Sequence, residues 1–217
     1  LSGENKKIEK SSNKLEINET ASGITSSVTK SDLATALADG TISNEHGTFD
    51  YTQTLYLPTL GRIEYTQDPD DDDNVVKPYF FIPSGATVYR YKLTFTPALK
   101  SDHSTASPGN FLEDIRNKKI NLLGQEYTIL KANHPAGNQT TLTLMGGAVS
   151  DILEEGASKT YTIGSKDYDV SLDFVSTSET KFTVNGETTT ALQEGDTFTL
   201  ADDTELGDCS VGARRHD

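Results

Sequence analysis

Residues 119–132, KINLLGQEYTILKA, constrain the fold of this chain more than any other stretch. With Gly124 and Gln125 as a two-residue loop, Leu122 faces Tyr127 and Ile120 faces Ile129, so four apolar side chains share one face of a hairpin. A three-residue loop would shift the pairing by one and scatter them. KTYTIGSKDYDVSL obeys the same rule: with Gly164 and Ser165 as the loop, Tyr161 lies opposite Tyr168, and Ile163, Val170 and Leu172 join that face. In KFTVNGETTT the Asn185-Gly186 pair tolerates positive φ at both loop positions, which is a strong short-range hairpin signal.

Period-two alternation extends upstream. Phe49, Tyr51, Leu55 and Leu57 share a parity in GTFDYTQTLYLP, and Tyr89, Tyr91, Leu93 and Phe95 share one in VYRYKLTFTP, the pattern of antiparallel strands with one wet face. From Lys119 onward turn signals crowd in, so the expected class is all-β, a mainly antiparallel sandwich or meander. Two short helices are expected as well. One is SDLATALADG, residues 31–40, with Ser31 and Asp32 as caps and Gly40 closing it; the other is NFLEDIRNKK, with Asn110 as its cap. Residues 1–30 are polar and read as an arm, linker or edge strand without a core of their own; 31–118 read as a β-rich domain and 119–217 as a hairpin or sandwich domain, one domain with 31–118 being the alternative. LEEGASKTYTI and LQEGDTFTL echo one another at an offset of 39 residues, which suggests a reused supersecondary unit. Gly146-Gly147 after TLTLM reads as a bulge or bend ending a strand.

Charge removes some function classes. With 19 Lys and Arg against 33 Asp and Glu, the net charge of −14 disfavours nucleic acid and anionic lipid as partners, and no apolar run is long enough to span a membrane. The first residue is Leu1, which reads as a processed chain with its leader removed. Cys209 stands alone, so it forms no internal disulfide; exposed it would pair between chains, buried it would serve as a small apolar residue. His46, His103, His134 and His216 are too far apart in sequence for a zinc motif, and no nucleophile elbow occurs. The expectation is therefore no catalytic residues and no enzyme. DPDDDDN, residues 68–74, reads either as a solvated turn or as a calcium loop offering oxygens from Asp68, Asp70, Asp72 and Asn74. Its spacing departs from an EF-hand, and calcium is the one cofactor the sequence raises. Asn18 and Asn138 head N-glycosylation sequons.

GTFDYTQTLYLP, the LGQEYTI hairpin, TLTLMGGAV and VNGETTTALQEGDT, in that order, resemble the archaeal S-layer proteins, most closely those of small-genome archaeal lineages. The resemblance covers roughly residues 33 to 207. It implies the N-terminal portion or a truncated relative of a secreted, often glycosylated, β-rich subunit at the cell surface. Such a subunit tiles into a lattice through contacts with copies of itself and carries no catalytic residues. The alternatives are a filament subunit joined by strand donation from the N-terminal arm, or a secreted adhesin-like binding module.

Overall fold

The computed structural model describes residues 3–10, 13–67, 75–104, 110–135, 139–147 and 149–208. The fold is all-β, with the strands paired antiparallel in several sheets. Two compact units divide it. The first comprises 1–41, 49–99 and 121–124, and the second 42–48, 100–120 and 125–217.

In the first unit the ten-residue strand Gly47–Tyr56 is the organiser. Arg90–Thr96 pairs with it from Asp50↔Thr96 to Tyr56↔Arg90, and Ser27–Val28 pairs with Tyr56 and Leu55. Alternation puts Phe49 and Tyr51 in the core, as their parity predicts. The next inward position is Gln53, which is 1% exposed. Its amide nitrogen donates to the Ala38 carbonyl, and its oxygen accepts from the Tyr91 hydroxyl at 2.8 Å and the Leu123 N–H at 3.0 Å. Both polar atoms of the Gln53 amide therefore have partners in place of the water that burial removes. Burial, with the nearby Tyr51, pushes the Tyr91 phenol up to about 12.

Three expectations change. Residues 31–37 form turns, not a helix, and the Glu4 carboxylate takes the Thr35 and Ala36 N–H groups at 2.8 and 2.9 Å, donors that a helix starting at Ser31 would bond to its own carbonyls. Gly40 is no helix cap but opens the strand Gly40–Asn44, where a Cβ would lie 2.2 Å from the Tyr51 hydroxyl. The polar segment 1–30 contributes core after all: Ala21, Ile24 and Val28 are buried, and a one-turn helix, Ala21–Ile24, is capped by Thr20. The second expected helix shrinks to the 3₁₀ turn Glu113–Ile115, since Phe111–Leu112 extends to pair with His103–Ser104 and Asn110 sits at φ 64.

The second unit holds two larger sheets and a hairpin. Gln125–Asn133 pairs with Thr141–Gly146, and a bulge after Ile129 lets Ile129 and Leu130 both face inward. The hairpin Ser158–Ile163/Lys166–Val175 has Tyr161 opposite Tyr168 as expected, and Asn185 and Gly186 take φ 49 and 86 in the turn before Glu187–Thr188. The first hairpin differs: its turn is Leu123-Gly124, at φ 54 and 80, one residue earlier than expected. The loop still has two residues, so the apolar parity is kept. Leu123 is held in the left-handed region by its bond to Gln53, and Gly124 lies against the Ala36 backbone where a Cβ would come within 3.3 Å.

The sequence echo is also structural. Ala157 N–H bonds to Glu154 O and Asp196 N–H to Gln193 O, both at 2.9 Å, while Gly156 and Gly195 take φ 79 and 82 and donate to the Leu172 and Asp208 carbonyls, each at 2.7 Å. The second copy opens the hairpin Thr197–Thr199/Glu205–Gly207, whose loop residue Asp202 pairs with Lys166 and accepts from the Tyr168 hydroxyl at 2.9 Å and the Thr204 N–H at 3.1 Å.

Replacing Gln53 by Leu leaves the Leu123 N–H, the Ala38 carbonyl and the Tyr91 hydroxyl without their buried partner; a loss of about 3 kcal/mol or more is expected in urea unfolding of the first unit. Lys166 first, then the Tyr168 hydroxyl and Thr204, hold Asp202 well below the usual carboxylate range. Its stabilisation is therefore present above the unfolded-state pKa and lost as pH falls through the lower folded value. Asp202→Asn is expected to lower the melting temperature at neutral pH and to shrink the difference from the parent protein in strong acid, read by thermal scans across pH.

Candidate functional site

Two features of the second unit carry chemistry. The first lies at the Glu45-His46 turn, where Gly47 takes φ 129. Asn44 fixes this turn: its side-chain oxygen accepts the His46 N–H at 2.9 Å and its amide donates to the Lys100 carbonyl at 2.8 Å. The next link is Ser101, whose hydroxyl accepts the Asp114 N–H and donates to the Asp102 carbonyl, both at 3.1 Å. Glu113 N–H also bonds to that carbonyl at 3.1 Å, and Asp102 N–H donates to the Asp114 carboxylate. Three chain segments are thus braced through their backbones.

This bracing gathers Glu45, His46, Asp102 and Asp114, whose ligand atoms all lie within 4.8 Å of one another. His46 Nε2 is 3.0 Å from Asp102 Oδ1, 3.2 Å from Asp114 Oδ2 and 3.9 Å from Glu45 Oε1. The Asp114 side chain is the most buried of the four. The Asp102 N–H, Ser101 and the adjacent imidazole hold its carboxyl below the usual range. A recess of about 310 Å³ adjoins the cluster, lined by Asn44, Glu45, Glu113, Asp114, Arg116 and Lys118. Arg116 is turned to Glu194, at 2.7 Å, and lies over the Phe111 ring.

The second feature is an apolar cavity of about 720 Å³. Leu130, Met145, Val170, Leu172, Val184 and Leu200 are among its lining residues. At its floor the buried Asp208 accepts from the Thr180 hydroxyl at 2.5 Å. The ionisable groups among its described lining residues are carboxylates and tyrosine phenols. Its size and lining suit an apolar molecule or side chain.

Sequence spacing missed the Glu45–Asp114 cluster because its members span 70 positions and meet only through the fold. A polar Asn-Glu-His-Gly turn between two strands was the available signal. His103 and His134 were likewise judged too far apart, yet strand pairing brings their rings to 5.8 Å, edge to face. They do not converge on a shared ligand: His103 Nε2 contacts the His134 carbonyl at 3.3 Å and His134 Nδ1 contacts Thr140 Oγ1 at 2.9 Å. Asn18 is exposed at φ 67, its N–H bonded to the Ile63 carbonyl, and Thr20 of its sequon caps the Ala21–Ile24 helix. The calcium residues Asp68, Asp70, Asp72 and Asn74 lie outside the described residues, as do Asn138, Cys209 and His216.

No protein-family model, curated protein or solved structure matches this chain.

A neutral solvatochromic dye such as Nile red is expected to gain fluorescence on binding the cavity at about one per chain. Val184→Phe, which fills the space with apolar volume, is expected to reduce that gain while leaving the circular dichroism of the sheets unchanged.

Proposed function

We propose that this chain is a structural, self-assembling subunit of the cell surface, S-layer-like, that acts through contacts with copies of itself and not through catalysis. The observation that carries this reading is the apolar surface that each unit leaves open. In the first unit, Arg62–Gln67 and Val76–Phe81 form a two-stranded ribbon that exposes Tyr65, Val76 and Phe80. In the second, Val149, Ile152 and Ile163, which also line the cavity, and Phe174 are exposed, Ile152 to 86%. Large apolar side chains cost free energy in water, and their exposure on both units fits association. Exposed apolar side chains on both units allow more than one contact, and a lattice needs at least two interface types per subunit.

The order of the strand motifs, with its resemblance to archaeal S-layer proteins, supports the same reading, as does an acidic surface that favours neither nucleic acid nor anionic lipid. Strand donation by the N-terminal arm is less well supported. Glu4 binds the turn at Thr35 and Ala36, Lys6 pairs with Asp32 at 2.6 Å, and Ser27–Val28 already completes its own sheet. A donated arm would have to give up these bonds.

The test is negative-stain imaging and sedimentation of the purified chain over a concentration series, beside Tyr65→Asp/Phe80→Asp and Ile152→Asp variants. Ordered sheets or higher oligomers are expected for the parent chain, with each variant set losing one class of contact. A monomer at every concentration, with or without calcium, would overturn the proposal in favour of a solitary binding module.

A further inference from the structure

We infer that Glu45, His46, Asp102 and Asp114 form a binding site for one divalent transition-metal ion of the zinc class. The inference goes beyond self-assembly and does not rest on it. The donor set is one imidazole nitrogen and three carboxylate oxygens, from a single turn and two other segments. Zinc binds such nitrogen and oxygen donors at about 2.0–2.2 Å, which places neighbouring ligand atoms of a tetrahedron about 3.4 Å apart. The distances from His46 Nε2 to the three carboxylates, 3.0, 3.2 and 3.9 Å, bracket that spacing. All four ligand atoms lie within 4.8 Å of one another, so the exposed Glu45 and Asp102 carboxylates would draw in to complete the shell.

Charge points the same way. Three carboxylates share this small volume, and one imidazole Nε2 can hydrogen-bond to only one of the oxygens in reach. Of the two cations lining the adjoining recess, Arg116 and Lys118, Arg116 is paired with Glu194 at 2.7 Å. A divalent ion offsets two of the three carboxylate charges and serves all four donors at once.

The backbone braces fit a metal centre as well. Asp102 N–H and Ser101 hold the Asp114 residue, and Asn44 holds the turn that presents His46, so the ligands are oriented by bonds that do not consume the imidazole nitrogen. The adjoining recess gives water and ion a path to the inner carboxylate. The imidazole also sets selectivity: calcium and magnesium take oxygen donors, whereas zinc, cobalt and nickel gain from nitrogen.

The experiment is calorimetric titration of the full, metal-stripped chain with zinc chloride and, separately, with calcium chloride. Cobalt chloride is added as a spectroscopic probe, since four-coordinate cobalt gives strong visible bands. One zinc ion per chain is expected, bound more tightly than calcium. His46→Gln and Asp114→Asn are expected to weaken zinc by at least about 100-fold. His134→Ala, which alters the neighbouring imidazole pair, is expected to leave zinc affinity unchanged. His46→Gln changes a side chain at an exposed turn and guards against misfolding as the cause of a loss. Zinc binding no tighter than calcium, or binding that persists in both ligand variants, would overturn the inference and leave His46 as an ion-pair partner of the carboxylates.

Discussion

A buried amide is the interaction on which the first unit depends. Strand Gly47–Tyr56 alternates between buried and exposed from Phe49 to Gln53, so the residue two beyond Tyr51 enters the core, and here it is Gln53. An apolar side chain would fill the space, but it could not satisfy a carbonyl at Ala38, an N–H at Leu123 and a phenol at Tyr91 together. Around this hub other departures follow: Leu123 accepts a left-handed backbone, and Gly40 gives up a side chain so that its strand can lie against the Tyr51 ring. Tyr51 adds a second tie to the same loop, accepting the Asn121 N–H at 2.8 Å. Polar satisfaction inside an apolar face specifies one arrangement more narrowly than packing alone.

What the sequence made legible was local. Parity placed Phe49 and Tyr51 inside, paired Tyr161 with Tyr168, and identified Asn185-Gly186 as a turn, because those features depend on residues a few positions apart. The Leu153 and Leu192 segments were recognisably alike, and they fold into the same hydrogen-bonded turn. Failures arose where a distant group decided. Residues 31–40 have caps and apolar spacing suited to a helix, yet the Glu4 carboxylate, 31 positions from Thr35, captures the N–H groups that a helix would use. Phe111 sits within a helix-like run but is buried as part of a strand beside Ser104. Gln53 was the one visible clue to the hub, a polar residue at an inward position.

The candidate site shows the same division. Its members at 45, 46, 102 and 114 share no motif, and only cross-bracing through Asn44 and Ser101 sets them around one imidazole. The apolar cavity is assembled from hairpins that are individually legible, but its volume depends on how their faces are spaced. Surface apolar residues follow a different logic from the core. Tyr65 and Phe80 lie on a narrow ribbon whose own two strands cannot cover them, and Ile152 follows a strand end at Gly146. These positions are what a self-associating chain would keep uncovered until a copy arrives.

Hydrogen–deuterium exchange on the chain at low and high concentration tests the central claim most directly. If copies meet through the open surfaces of both units, backbone amides in Arg62–Gln67 and Val76–Phe81, and in the edge strand Ser158–Ile163, become slower to exchange as concentration rises, while those of the buried Gly47–Tyr56 strand stay unchanged. Exchange that is the same at every concentration in all of these strands would contradict the account.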